Sequence, residues 1–371
     1  MMSARFLTVV LERAFNMRDG FGREIDYMRI SVIDSCNLNC YYCNPCDNNE
    51  HCHALNILSV KEVLCIVRAA TRLGIKHFRL TGGEPLLHPQ LDEMVLQIKK
   101  IPGVSSVSLT TNAVLLAQHA KWLKEAGIDS INVSLDTIDA SEYERITKKP
   151  LLEEVKHGIN AAIEYGIRVK INVVLTPQTD VVALTRYVAK KGTDIRFIEM
   201  MPVGEGHTNG VEPYKKVIGT LSKLYGEPCR INTEKTKEIN SGNDKRKIPD
   251  NGPAEYYIFP ELGIRVGLIQ AIHGKFCDTC NRIRVTADGR LMPCLGSSVT
   301  MDLVPDSWDF ADDVEKDFAI VRALRAAIKA KPRCHNFNDN AVTYTKTTET
   351  KTTEIEAAEV NAARNMSRIG G

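Results

Sequence analysis

The sequence has no apolar run approaching the ~20 residues needed to span a membrane. Its one early candidate, Phe6–Leu11, ends at Glu12-Arg13. Nor does it have an excess of either charge. The 371 residues carry a formal net charge of +2, which offers no footing for nucleic acid or an acidic membrane surface. An anionic ligand would have to be met by individually placed Arg and Lys side chains. No signal-peptide pattern is evident, so a cytoplasmic, reducing compartment is the expectation. An amphipathic targeting helix over Met1–Met17, with Arg5 and Arg13, is the weaker alternative. No separate sequence repeat is present.

What the chain does have is cysteine. Hydrophobic and charged contents of 43% and 25% are ordinary for a globular protein, but eleven cysteines are many for an intracellular one. An odd number in C-x-x-C-like clusters argues against a disulfide framework and for metal binding. The first cluster is Cys36-x3-Cys40-x2-Cys43, directly after an apolar strand pattern. Three thiolates suit a soft metal centre. A four-iron cubane usually takes four cysteines, so three imply either a fourth ligand elsewhere or one iron left free. A structural zinc site completed by Cys46, Cys52, His51 or His53 is the bland alternative. The second cluster is Cys277-Asp-Thr-Cys280, then Arg282-Ile283-Arg284 and Cys294. Cys229 and Cys334 belong to neither group and read as core or surface thiols.

Between the clusters, short β-branched runs alternate with helical patterns. Strands are predicted at Met28–Ile33, His77–Leu80, Ser106–Thr110, Ser130–Leu135, Arg168–Val174 and Asp194–Met200. A capping box at Ser59-Val60-Lys61-Glu62 opens a helix to about Leu73, and further helices are predicted over Leu91–Ile101, Leu115–Ala126, Leu151–Tyr165 and Val181–Lys191. This rhythm predicts a parallel α/β sheet with right-handed crossovers. A partial barrel and a doubly wound sheet both fit it. In a barrel, functional groups gather at the strands' C-terminal ends, where Cys36, Thr81-Gly82-Gly83-Glu84-Pro85, Thr110-Thr111-Asn112, Ser134 and Asp136 fall. Four regions are expected: an extension over 1–25, a barrel core over 26–233, a smaller cluster- and substrate-binding region over 234–331 with a helix at Val314–Lys329, and a mobile tail over 332–371. The tail includes the Thr/Glu/Lys-biased Lys346–Glu359 and ends in Gly370-Gly371.

The Cys-x3-Cys-x2-Cys spacing after strand one and the Gly82-Gly83-Glu84-Pro85 turn after strand two resemble the radical S-adenosylmethionine (SAM) superfamily. The second cysteine group with Arg282 and Arg284, and the terminal Gly-Gly, are similar to the GTP 3′,8-cyclase family (MoaA type) of molybdenum cofactor biosynthesis. The resemblance runs from about Gly22 to Lys331. It implies a partial (β/α)6 TIM-like barrel with a smaller C-terminal region, two 4Fe-4S clusters, and SAM as cofactor. It assigns Cys36, Cys40 and Cys43 to the first cluster, and Cys277, Cys280 and Cys294 to the second. It places Tyr42, Gly83, Ser134 and Met201 at SAM, and Arg29, Arg79, Thr110, Lys170, Arg282, Ile283 and Arg284 at GTP, with Arg196 a further candidate. Gly370 and Gly371 would reach the active site. The implied reaction has a 5′-deoxyadenosyl radical abstract the C3′ hydrogen of GTP, giving 3′,8-cyclo-7,8-dihydro-GTP. GTP is then the substrate, a cyclic pyranopterin monophosphate synthase the next enzyme, and an electron donor a partner; no nucleic acid or membrane is implied, and the chain would be a monomer or homodimer. The chain departs from the family at Ala113, where glycine is usual, and at Ile33, where threonine is common. The alternatives are a peptide-modifying radical SAM enzyme with an auxiliary cluster, and a non-enzymatic metal-binding scaffold.

Overall fold

The computed structural model describes residues 17–43, 56–203, 210–231, 252–297, 299–303, 313–335 and 337. Six strands follow one another across a parallel sheet in chain order: β1 (Tyr27–Ser31), β2 (His77–Thr81), β3 (Ser106–Thr111), β4 (Ser130–Ser134), β5 (Val169–Val174) and β6 (Asp194–Ile198). The connecting helices are α1 (Val60–Arg72), α2 (Leu91–Lys99), α3 (Leu116–Glu125), α4 (Ala140–Thr147), α5 (Leu152–Glu164) and α6 (Val181–Lys190). A doubly wound sheet reverses its strand order at a switch point. Here the order never reverses, so right-handed crossovers put every helix on one side of the sheet. The other side is left to line a cavity, as in a partial barrel.

Strand composition follows from that division. Met28 and Ile30, Phe78 and Leu80, Ile131 and Val133, Ile195 and Phe197 are fully buried on the helix side. Their alternate neighbours Arg29, Arg79, Asn132 and Arg196 line the cavity, as the two-residue strand period requires.

Beyond β6 come α7 (Gly219–Tyr225) and the strands β7 (Cys229–Ile231), β8 (Glu255–Ile258), β9 (Arg265–Ile269), β10 (Arg282–Val285), β11 (Arg290–Met292) and β12 (Met301–Asp302), then helix α8 (Asp313–Lys329). β9 pairs parallel with β6, and β10 pairs parallel with β1. The C-terminal region therefore extends both edges of the barrel sheet. β8 and β7 continue antiparallel beyond β9, and β11 and β12 do so beyond β10. Helix α8 lies on α1, where Asp317 pairs with Arg72 at 2.8 Å.

Local signals account for most boundaries. Ser59 and Glu62 cap α1 reciprocally, Glu62 N donating to Ser59 Oγ (3.3 Å) and Ser59 N to Glu62 Oε2 (2.7 Å); such a cap is worth about 1 kcal/mol. Gly127, at φ +88°, turns the chain out of α3. Helix α4 was not expected from the sequence. It opens on Asp139, whose side chain accepts from Glu142 N at 2.8 Å, and its end holds the cysteine loop: Asn39 N donates to Thr147 O and Tyr41 N to Ile146 O. Residues 1–16, 234–251, Lys346–Glu359 and Gly370-Gly371 lie outside the described residues.

Candidate active site

One cavity of about 710 Å³ is lined by residues from every strand from β1 to β6, from β9 and β10, and from both cysteine groups. The first group hangs from the C-terminal end of β1. Here the chain leaves β1 and is gripped on two sides. Asp34 exchanges hydrogen bonds with Asn56, and the Gly-Gly turn after β2 lies against it, with Gly83 N donating to Ile33 O and Glu84 N to Ser35 O, both at 2.8 Å. A Cβ on Gly83 would stand 2.2 Å from Ser35 O, and one on Gly82 2.3 Å from Ile33 O. Glycine is required at both positions because the turn packs directly on the chain's own carbonyls.

Glu84 is wholly buried and joins the turn to β3. It accepts from Leu86 N (3.0 Å), Thr111 Oγ1 (2.7 Å) and Asn112 N (2.7 Å). Burial pushes its pKa up to about 7 against the pull of those three donors. Asn112 carries the connection on, with Nδ2 donating to Asn37 Oδ1 (2.7 Å) and lying 3.8 Å from Cys36 Sγ. Leu38 N approaches the same sulfur at 3.5 Å. Tyr42 donates to Asp136 Oδ2 at 2.5 Å, while Asp136 Oδ1 accepts from Val174 N at 2.7 Å. Burial pushes Cys36 up to about 11 and Cys40 further. These thiols keep their protons until a cation takes their place, which is how a cluster-binding triad behaves.

A cationic wall follows down the strands. Arg29 on β1 is in register with Arg79 on β2 and with Arg284 on β10, so three guanidiniums cross adjacent strands in one row. One level below, Tyr27 is in register with Arg282 and His77. Arg79 Nε donates to Tyr27 Oη, and its Nη1 to Leu109 O at 3.1 Å. Burial alone would raise the Tyr27 pKa, but Arg79, Arg29 and Arg282 outweigh it and hold the phenol below its ordinary range. Burial, then Arg284, pushes Arg29 well below the usual guanidinium range; burial, then Arg282, brings Arg284 down to about 10. A row whose members disfavour one another's charge is relieved by a polyanion, and guanidinium forks suit phosphate oxygens. Across the cavity, Lys170 and Arg196 are buried, Arg196 Nε donating to Asn172 Oδ1 at 2.9 Å. A Cβ on Gly267 would meet Arg196 Cγ at 2.8 Å, so β9 needs glycine there.

The second cysteine group stands at the other end. Cys277 and Cys280 precede β10, whereas Cys36 follows β1, and these two strands run parallel in register. The two groups therefore close opposite ends of one cavity, with Tyr27–Ser31 alone spanning about 13 Å between them. Functional groups at the strands' C-terminal ends describe only the first. Lys331, buried, donates to Arg282 O and Pro293 O, both at 2.9 Å. Burial works to raise Cys280, but Arg282 and Lys331 hold its thiol below the ordinary value, an environment suited to a metal-bound thiolate. Arg282 also lies over the Phe276 ring, 5.2 Å from its centroid.

Of the residues singled out in the sequence, the six grouped cysteines, Tyr42, Gly83, Ser134, Met201, Arg29, Arg79, Thr110, Lys170, Arg282, Arg284 and Arg196 all line the cavity. Ile283 does not. It is 1% exposed and packs in the core on the helix side, because it alternates with the two arginines. Gly370 and Gly371 lie outside the described residues. Sequence reasoning missed Tyr27, Lys331 and Arg23. Arg23, buried and paired with Asp19 at 2.6 Å, donates to Cys277 O (2.7 Å), Pro332 O (2.6 Å) and Arg333 O (2.9 Å). No local pattern marks its reach to these three carbonyls, which lie over 250 positions away.

A parallel barrel sheet with a cysteine triad after β1 and a glycine turn after β2 defines a class. Residues 30–183 match the Radical SAM superfamily, and residues 193–337 match the family described as Molybdenum Cofactor Synthesis C. Among solved structures, Streptococcus suis SuiB is 15% identical with a TM-score of 0.53, covering 81% of this chain and 65% of that one. SuiB bound to the precursor peptide SuiA gives 15% and 0.54, with 87% and 69% covered. These likenesses carry the fold alone. Curated relatives are nearer. The GTP 3′,8-cyclase of Clostridium perfringens (strain SM101 / Type A) is 35% identical over 324 residues, 86% of this chain and 95% of that protein. The GTP 3′,8-cyclase of Peptoclostridium acidaminophilum is 37% identical over 328 residues, 86% and 94%. The chain belongs to the GTP 3′,8-cyclase family. Among the described residues, no helix is long and apolar enough to cross a membrane.

Proposed function

We propose that this chain converts GTP to 3′,8-cyclo-7,8-dihydro-GTP, the first step of molybdenum cofactor biosynthesis. The observation that supports this most is the single cavity with a cysteine triad at each end and a row of guanidiniums between them. Cys36, Cys40 and Cys43 would hold one 4Fe-4S cluster, and Cys277, Cys280 and Cys294 the other. When bound, the reduced first cluster with SAM supplies the radical chemistry that removes the C3′ hydrogen of GTP so that C3′ joins C8 of guanine.

The chain's own residues bind and orient. Tyr42, Ser134 and Met201 form the SAM end, with Asp136 fixing the Tyr42 ring through its hydroxyl. Gly83 has its amide engaged with Ile33 O, so its carbonyl is the group it offers. Arg29, Arg79, Lys170 and Arg284 neutralise the triphosphate, Thr110 adds a hydroxyl, and Arg282 with the second triad holds the guanine end. Ile283 contributes through its backbone only. Holding both reactants in one walled cavity supplies proximity and excludes water. Gly370 and Gly371 are needed for turnover. The product would pass to a cyclic pyranopterin monophosphate synthase, an electron donor would supply the reducing equivalent to the first cluster, and the chain would work as a cytoplasmic monomer or homodimer in which the barrel (26–233) and C-terminal region (234–331) share the substrate.

The test is anaerobic reconstitution followed by incubation with dithionite, SAM and GTP. The reading requires 5′-deoxyadenosine together with a cyclised GTP product. Formation of 5′-deoxyadenosine with no change in GTP would favour a peptide-modifying enzyme instead.

A further inference from the structure

Cys334 follows α8 and belongs to neither cysteine triad, yet its Sγ stands 3.4 Å from Cys277 Sγ. His335 joins them, and the ligand atoms of Cys277, Cys334 and His335 all lie within 4.8 Å of one another. Two thiolates on one tetrahedral zinc, with bonds of about 2.3 Å, stand roughly 3.8 Å apart. A cubane instead gives each thiolate its own iron. The Cys277–Cys334 spacing of 3.4 Å, now a thiol–thiol hydrogen bond, is within about 0.4 Å of that for one shared metal atom.

The imidazole is prepared for the same role. His335 Nε2 lies 2.7 Å from Ala271 O, which can only accept. That contact places the proton on Nε2 and the lone pair on Nδ1; the Phe337 amide donates to that lone pair across 3.5 Å, a long contact that a metal ion at Nδ1 would replace. A carbonyl on the far nitrogen is the usual outer partner of a metal-bound histidine. The surrounding chain is also fixed. Arg23 ties the Cys277 carbonyl to those of Pro332 and Arg333. A Cβ on Gly296 would come within 2.7 Å of His335 Cβ, so the loop carrying Cys294 leaves room for this histidine. Cys334 itself is exposed, which gives a metal ion access.

We propose that Cys277, Cys334 and His335 form a mononuclear site for a thiophilic divalent cation of the zinc class, with solvent as the fourth ligand. Its consequence rests on the reading of Cys277 as a cluster ligand: the ion and the second cluster compete for that thiolate and exclude one another.

The first test uses the full-length, cluster-free, reduced protein carrying Cys36→Ser, Cys40→Ser and Cys43→Ser, with Co²⁺ as the only added metal. A tetrahedral, sulfur-ligated cobalt spectrum is expected. Cys334→Ser and His335→Ala should each weaken cobalt binding by at least about tenfold, and Cys280→Ser should leave it unchanged. A cobalt signal that survives Cys334→Ser but is lost with Cys280→Ser or Cys294→Ser would overturn the site. The second test needs no altered first triad. Iron and sulfide reconstitution in the presence of Zn²⁺ should block the second cluster in the natural sequence and spare it in Cys334→Ser. Equal blockage in both would overturn the competition. Iron counts without zinc test the cluster reading of Cys277 by themselves, whatever cobalt shows.

Discussion

Replacing Gly83 with alanine separates two uses of the glycine turn. The new Cβ would stand 2.2 Å from Ser35 O and 2.5 Å from Asp34 O, both backbone atoms that cannot swing away. Ordinary contacts begin near 3.5 Å, so the cysteine loop must retreat by about 1 Å. That stretches two hydrogen bonds now at 2.8 Å, Gly83 N to Ile33 O and Glu84 N to Ser35 O. Each contributes about 1 kcal/mol, and overpacking of a filled site adds about 1–3 kcal/mol. The expected loss is roughly 3–5 kcal/mol, felt before any cofactor binds. Denaturant unfolding of the cofactor-free protein should show a lower midpoint, and reconstituted iron should fall from about eight to about four per chain as the first triad fails to load. Gly219→Ala is the control, because nothing lies within 4 Å of its Cβ position. If Gly83→Ala unfolds like the natural sequence, loads both clusters and alters only the SAM dependence, the turn serves the cofactor and this reasoning is wrong.

Further predictions use the same structure. Arg23→Met leaves Asp19 buried without its partner and frees three carbonyls; it should cost about 3–5 kcal/mol and lower iron loading at the second triad, readable by denaturation and iron counting. Ala113 holds φ +65° while fully buried, so Ala113→Gly should raise stability by about 0.5 kcal/mol, the relief of a left-handed side chain less the added chain entropy, and an unchanged denaturation midpoint would contradict it. Glu84 is raised from 4.5 to about 7 by burial, so the folded state favours its proton. Its contribution is fully present below pH 4.5 and is lost as pH rises through 7; relative to Glu84→Gln, the natural protein should lose roughly 3 kcal/mol across that window, and a difference independent of pH would refute the shift. Arg284→Ala removes one member of the guanidinium row and should raise the GTP concentration for half-maximal turnover at least about tenfold while first-cluster spectra stay unchanged.

The repeating part of the fold was legible because its signals are local. Period-two alternation marks β2 to β6, and the Ser59–Glu62 box marks the start of α1. The choice of a barrel over a doubly wound sheet was not legible, since it depends on which strands pair, and periodicity carries no pairing partner. The attachment of β9 to β6 and of β10 to β1 escaped for the same reason. Helix α4 was missed despite its Asp139-x-x-Glu142 start, because its short apolar stripe of Tyr143 and Ile146 is weak beside its neighbours. At the site, spacing exposed the six grouped cysteines, and the family resemblance supplied Arg29, Arg79 and Lys170. Ile283 was carried along with its neighbouring arginines, although strand alternation points it to the core. Cys334 was dismissed because its partner Cys277 is remote in sequence and only the folded chain brings the two sulfurs together.

The central claim is that one cavity, closed at each end by a cysteine triad, holds GTP for hydrogen removal from its ribose. Turnover with GTP deuterated at C3′ tests it most directly, with mass spectrometry of the 5′-deoxyadenosine formed. The account predicts that the deuterium appears in 5′-deoxyadenosine and is absent from the cyclised product. Unlabelled 5′-deoxyadenosine, formed alongside GTP that keeps its deuterium, would contradict it.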